Sequence, residues 1–173
     1  MKRFSTKSVV LGNIFAALLF FLSFSTAHAQ WVHTYGGMGY DYSHSIQQTA
    51  DGGYIVAGCT ESFGAGDRDF WVLKLDGNGS VIWQKAYGGP GSDEAWDIRQ
   101  TADGGYVVAG TTDSYGAGNG DLWVLKLDSE GDVEWEKVYG GTEFDGAAAV
   151  RQLEDGGYII AGATTVASID QQN

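Results

Sequence analysis

From residue 31 onward the chain alternates short apolar runs with tight, glycine-bearing polar interruptions, and the runs are of strand length rather than helix length. Within 95–139, Ala95 to Thr101 reads as a strand, Asp103-Gly104-Gly105 as a turn, and Tyr106 to Thr112 as a run of aromatic, β-branched and small residues. These segments predict a hairpin. Glycine at its turn permits the positive φ of a type I turn closed by a bulge, which a residue with a Cβ resists. A Gly/Ser/Asn segment from Asp113 to Gly120 leads into Leu122 to Asp128, a second turn at Ser129-Glu130-Gly131, and Val133 to Tyr139. The expectation is four antiparallel strands, positions a, b, c and d of one unit, with no sustained helical period.

These strands are apolar on both faces. Trp123, Leu125 and Leu127 point one way, and Val124 with the aliphatic stem of Lys126 the other. A sheet with one wet face would alternate apolar and polar residues, so here both faces must be covered. Radial stacking of small four-stranded sheets, the β-propeller arrangement, meets that requirement.

The unit repeats. Trp31, Trp83 and Trp135 are spaced by 52 residues; Asp51, Asp103 and Asp155 of the Asp-Gly-Gly-Tyr segments keep the same interval, and so do Trp71 and Trp123. Three separate features in one register define an internal period. Copies start near residues 31, 83 and 135 and occupy residues 30–173. The third departs from the pattern after Thr164: Ser62 and Ser114, followed by Gly64-Ala65-Gly66 and Gly116-Ala117-Gly118, give way to Val166 and Ser168-Ile169-Asp170. Positions c and d are therefore missing from it. With a d strand at Trp31 to Tyr35, two full units and a final a-b hairpin, eleven strands are expected. The expected fold class is all-β, an incomplete β-propeller of two full four-stranded antiparallel blades plus a partial third.

Closed propellers use about four to eight blades, so such a chain has open ends. Several hundred Å² of wet apolar face at each would forfeit on the order of 10 kcal/mol. Self-association or the further blades of a longer parent chain must cover them. Truncation of a parent is the favoured expectation, because unpaired edges beside Trp31 and the last hairpin invite aggregation.

The signature Thr-x-Asp-Gly-Gly-Tyr, Ala-Gly-x-Thr, Leu-Lys-Leu-Asp-x-x-Gly-x-x-x-Trp and Tyr-Gly-Gly resembles the propeller-like repeats of secreted bacterial and archaeal surface proteins, over nearly all of the chain after residue 29. The sets Asp76, Gly79, Trp83 and Asp128, Gly131, Trp135 are also similar to the tryptophan-docking motif of quinoprotein-type propellers, with one residue fewer between Asp and Gly. The resemblance, to quinoprotein- or Kelch-like blades, implies an envelope or extracellular interaction role. Lectin-like and glycanase-like names are common in that group, and the resemblance implies no defined reaction.

Residues 1–29 read as an export signal: Lys2, Arg3 and Lys7 precede an apolar run from Val9 to Phe24, and Ala27-His28-Ala29 supplies small residues at a cleavage point before Gln30. The run is about 16 residues, short of the roughly 20 that span a bilayer. A secreted, extracellular or envelope location is expected, with no membrane association after cleavage. The leader holds three of the ten basic residues and none of the 22 acidic ones, so the exported chain is more acidic than the −12 of the whole. Such a surface repels phosphate backbones and anionic lipid, which excludes nucleic acid as a partner. The one cysteine, Cys59, is replaced by Thr111 and Ala163 in the other copies and reads as a small packed strand residue.

Antiparallel order puts the a-b and c-d turns at one end of every unit and the b-c and d-a connections at the other. The second end gathers the loops Ser62 to Asp69 and Ser114 to Asp121 with Tyr-Gly-Gly and the following Asp41, Asp93 and Asp145. A ligand site is expected on this long-loop face. Its acidic residues admit two readings. Asp41, Asp69, Asp93 and Asp121 are candidate oxygen ligands for Ca²⁺, with Asp67 and Asp145 near them. Alternatively they brace the loops by accepting backbone N–H bonds, which recurrence in each copy and the lack of an Asp-x-Asp-x-Asp-Gly run favour. No other cofactor is expected.

The periodic tryptophans read as interblade packing. Trp96 is different, since His44 and Ala148 occupy its position in the other copies. With Phe63, Tyr115, Asp93 and Asp145 it forms the candidate ligand-contact set; the competing reading for Trp96 is core or edge packing. No catalytic residue is assigned. His33 and His44 lack metal-like spacing, and Asp93 with Asp97, or Glu134 with Glu136, are the only acid/base pairs worth weighing. The Glu pair is replaced by Ile82 and Gln84 in the first copy, as surface positions are. The expected function is a non-catalytic exported interaction or scaffold module contacting glycan or protein. The alternatives are a glycoside hydrolase or its carbohydrate-binding part, and a structural repeat without ligand.

Overall fold

The computed structural model describes residues 31–165. The export signal, its cleavage point, and the departures at Val166 and Ser168-Ile169-Asp170 lie outside the described residues. Within them the chain is all-β: β1 (Asp41–Gln48), β2 (Tyr54–Thr60), β3 (Asp69–Leu75), β4 (Val81–Tyr87), β5 (Asp93–Gln100), β6 (Tyr106–Thr112), β7 (Asp121–Leu127), β8 (Val133–Tyr139), β9 (Asp145–Gln152) and β10 (Tyr158–Thr164). They form antiparallel sheets ordered β1-β2-β3-β4, β5-β6-β7-β8 and β9-β10.

Two expectations need correction. Position a begins two residues earlier than expected, because Asp93 pairs with Thr112 at the end of the ladder. Ten strands stand in place of eleven, since Trp31 to Tyr35 pairs with no strand among the described residues. A lone segment has no ladder to join, yet this one is held as position d is held elsewhere. Trp31 Nε1 donates to the Gly77 carbonyl at 3.3 Å and Tyr35 OH to the Gly79 carbonyl at 2.6 Å. One repeat later, Trp83 Nε1 donates to Ser129 O at 3.2 Å and Tyr87 OH to Gly131 O at 2.6 Å.

The hairpin turns all follow one plan. In the first, Gly52 N donates to Thr49 O and Thr49 N to Gly53 O, while Asp51 Oδ1 accepts the Gly53 N–H and the Thr49 hydroxyl. The glycine takes a φ near +80° to +90°, as at Gly104 (89°) and Gly131 (80°), giving the type I turn with a bulge. At Gly131 a second demand is added: a Cβ there would stand 3.0 Å from the Trp83 ring docked over the turn.

Both faces of the central sheet are covered. Trp123, Leu125 and Leu127 pack with Ile55, Ala57, Phe70 and Val72 of the first sheet. On the opposite face Val107, Ala109 and Val124 pack with Ala147 and Val150 of the third. Contacts between sheets run through β2 against β5 and β6 against β9, with β1, β5 and β9 side by side. Lys126 is more buried than an aliphatic stem alone requires. Its ammonium reaches Asp103 Oδ2 at 2.9 Å and Glu134 Oε2 at 2.8 Å, and Lys74 likewise meets Asp51 Oδ2 at 2.8 Å. A buried ammonium needs such partners, so each c-strand lysine ties the a-b turn to its sheet.

Gly104→Ala, where a Cβ meets nothing within 4 Å, should cost about 1 kcal/mol through φ alone. Gly131→Ala should cost about 2–3 kcal/mol, because the docked Trp83 ring must also move. Urea denaturation of the two variants measures the difference, and equal costs would show that the indole does not clamp the turn.

Candidate functional site

The long-loop end is organised by aspartates at the first residue of positions a and c. Asp41 Oδ2 accepts the Gly37 N–H and the Ser62 hydroxyl, both at 2.8 Å, and its Oδ1 accepts the Thr60 hydroxyl. Asp93 repeats this with Gly89 N at 2.9 Å and Ser114 Oγ at 2.7 Å. Each serine also accepts a backbone N–H across the gap, Gly39 for Ser62 and Gly91 for Ser114. Position c supplies the second brace: Asp69 Oδ2 accepts the Ala65 and Gly66 amides, and Asp121 Oδ2 those of Ala117 and Gly118. The long loops are thus folded around carboxylates.

The aspartates meet in pairs across the sheet interfaces, not as one cluster. Asp69 Oδ1 and Asp93 Oδ2 converge on the bare Cα of Gly88, where a side chain would collide with both; Asp121 and Asp145 converge in the same way on Gly140. Asp69 is 1% exposed and Asp93 fully buried. Asp69 Oδ1, Asp93 Oδ1 and Asp121 Oδ1 have no hydrogen-bond partner. Ca²⁺ needs about six to eight oxygens. Each pair offers two carboxylates with oxygens already given to amides and hydroxyls, and among the described residues no group of three or more His, Cys, Asp or Glu is arranged to hold a metal. Asp41, Asp69, Asp93 and Asp121 therefore fit a Ca²⁺ site poorly.

Burial pushes the Asp69 carboxyl above its ordinary 3.8, and the Asp93 charge beside it adds to the push. Burial acts the same way on Asp41, but hydrogen bonds from Thr60, Gly37 and Ser62 outweigh it and hold that carboxyl below the ordinary value. Half-buried Asp145 is held low by Thr164 and the Gly141 amide. At the opposite end, hydrogen bonds from Thr101 and Lys126 bring Asp103 down to about 2.

The aromatic candidates divide. Phe63 leans on Trp71 with ring centroids 6.0 Å apart, and Tyr115 on Trp123 at 5.0 Å, its hydroxyl donating to Gly88 O at 3.0 Å. Both cover the ends of buried tryptophans while keeping an exposed edge. Trp96 is 39% exposed and belongs to none of the buried clusters between sheets. The register between β5 and β6 skips from Ala95 to Asp97, so Trp96 is the extra residue of a bulge on a free sheet edge. The same skip leaves out His44 in β1 and Ala148 in β9. His44 stacks on Trp96 with centroids 4.2 Å apart at 25°. His33 Nε2 lies 3.2 Å from Asn78 O, on the docked segment before β1.

Asp97 has a role its sequence neighbours did not suggest. It accepts Ser45 Oγ at 2.9 Å from β1 and the Val150 N–H at 3.0 Å from β9, and pairs with Arg99 at 3.0 Å and Arg151 at 2.6 Å. One carboxylate joins the three inner strands. Gln100 and Gln152 were also missed: each side-chain carbonyl accepts, at 2.9 Å, the turn amide of the preceding sheet, Ala50 or Ala102. Recurrence at the 52-residue interval was the available signal. Glu134 pairs with Lys126 and Glu136 accepts the Trp123 indole N–H at 3.2 Å, so both brace the sheet. Burial pushes the Cys59 thiol up to about 11, which suits a packed residue.

Comparison of the chain with models of known protein families finds no match, and comparison with curated proteins finds none.

A carboxyl held above its ordinary value favours folding once protonated; its contribution is complete below 3.8 and lost as pH rises through its folded pKa. Asp103 has the opposite sign, and its contribution is lost as pH falls from about 4 through about 2. Asp69→Asn keeps an oxygen for the loop amides and turns an N–H toward Asp93. At pH 7 it should be at least as stable as the wild type, and it should remove the share of stability that Asp69 contributes as pH falls from 7 to 3.8. Asp69→Ala should lose about 2 kcal/mol for two hydrogen bonds. Denaturation at both pH values checks this; equal damage from Asn and Ala would refute the strained-carboxylate account.

Proposed function

We propose that the protein is an exported, non-catalytic interaction module whose sheets are blades of a β-propeller, and that it binds a neutral glycan on the Trp96 ledge beside its long-loop face. The observation that carries the reading is the bulged, exposed Trp96 stacked on His44. A large flat ring that no buried cluster uses offers an apolar face to the C–H side of a sugar. Its place at a bulge is favourable, since bulges re-aim side chains away from the ladder. The acidic surface disfavours polyanionic chains, which points to uncharged sugars.

The propeller reading draws support from the two-sided burial of the central sheet and the repeated Trp docking. The non-catalytic reading draws support from the acid/base candidates. Asp93 is fully buried, and Asp97 is tied up by Ser45, Val150 and two arginines, so neither presents a free oxygen to a substrate.

A neutral-glycan array probed with the purified chain should give binding that Trp96→Ala weakens by at least about tenfold, while the melting temperature stays within a degree or two because Trp96 sits on an edge. Binding that survives Trp96→Ala would remove the ledge from the account. Release of reducing sugar abolished by Asp93→Asn would replace it with a hydrolase.

A further inference from the structure

At the first sheet interface, the c-d hairpin β7–β8 closes over the preceding sheet. Its Trp123, Leu125 and Leu127 share one buried cluster with Val72, Tyr106 and Val108, against Trp83 and Tyr87. The polar edge of the contact is equally specific. Trp83 Nε1 and Tyr87 OH donate to carbonyls of the 128–131 turn, Lys85 Nζ meets Asp132 at 2.6 Å, and Lys126 Nζ meets Asp103 at 2.9 Å.

One repeat further along lies a groove of about 530 Å³ lined by Val124, Trp135, Lys137, Tyr139, Tyr158 and Ile160. Every one of these stands 52 residues beyond a member of the first contact: Val72, Trp83, Lys85, Tyr87, Tyr106 and Val108. Its polar fittings are also repeated and idle. Among the described residues Trp135 Nε1 and Tyr139 OH have no turn carbonyl to donate to, Lys137 has no carboxylate, and Asp155 has no lysine, whereas Asp51 and Asp103 each hold one. Among the described residues no strand pairs with the outer edge of β10, while β2 and β6 pair there with β3 and β7.

We infer that this groove and the β10 edge form an acceptor site for a c-d hairpin of the same repeat, of the form Asp-x-Trp-Val-Leu-Lys-Leu-Asp-x-x-Gly, supplied by a further copy of the repeat. The hairpin adds as a strand to β10, its Trp and two Leu fill the groove, its Lys pairs with Asp155, and its turn receives Trp135, Tyr139 and Lys137. A second copy of this chain is a poor donor. Both of its hairpins, β3–β4 and β7–β8, are already paired in their own sheets, and donation would break one.

The probe is a synthetic peptide of residues Asp121–Tyr139, added to the purified chain. Calorimetry should give saturable 1:1 binding, and hydrogen exchange should slow in β10. Asp155→Asn in the chain, which keeps the turn bond to Gly157, and Lys126→Gln in the peptide should each weaken binding by about tenfold or more. The two changes together should weaken it less than the product of the two, since they remove one shared contact. Absence of binding at millimolar peptide would overturn the proposal. So would protection gained at β6 rather than β10, the mark of strand exchange, or a peptide-independent dimer with β10 already protected, which would make a second copy the occupant.

Discussion

Each sheet of this protein is apolar on both faces, so the free energy of burying one face is gained only when a neighbouring sheet arrives, and the second face asks for another. Leu125 faces the first sheet while Val124, the preceding residue, faces the third. The first sheet shows the consequence at an end of the stack. Its Trp71, Leu73 and Leu75 are buried, yet among the described residues no further sheet fills the groove above them, with Trp31, Tyr35 and Val56 in its walls. The docked segment Trp31 to Tyr35 shields this face in part, held by two side-chain bonds to the Gly77 and Gly79 carbonyls.

Stacking brings many backbone groups and charges out of water, and the polar chemistry of the chain is spent on them. Asp41 and Asp93 hold the loops that precede their strands, Asp69 and Asp121 those before position c, and the buried lysines hold the a-b turns. Meeting this need at every interface has a local cost: Asp69 and Asp93 are pressed together over Gly88 with an unpartnered oxygen on each. In three dimensions each of these acids accepts hydrogen bonds from the loop beside it. Chemistry aimed at a partner must come from groups the repeat leaves over, and Trp96, His44, Lys137 and Asp155 are such groups.

The residues that differ between copies divide by location. At the bulge of position a the sequence reads His44, Trp96 and Ala148, all solvent-facing, and the ladder is indifferent to them because a bulged residue has no cross-strand partner. One residue further on, Ser45, Asp97 and Ala149 are inside the stack, and there the difference matters. The single carboxylate of Asp97 serves β1, β5 and β9 together because its neighbours at that level supply a hydroxyl and an amide in place of two more charges.

The strands, their order within a sheet, the turn glycines and the need for two-sided cover were legible in the sequence, because alternation of side chains and the φ of a turn are local properties that a 52-residue repeat states more than once. The segment Trp31 to Tyr35 was misread as a strand for the same reason. Its residues match position d, but a strand exists only through a neighbour's backbone, and the sequence cannot supply the neighbour. The convergence of Asp69 on Asp93 and the junction at Asp97 were decided by tertiary structure alone. Each depends on the distance and angle between separate sheets, which are set by packing over the whole stack and leave no trace in the order of residues along any one of them.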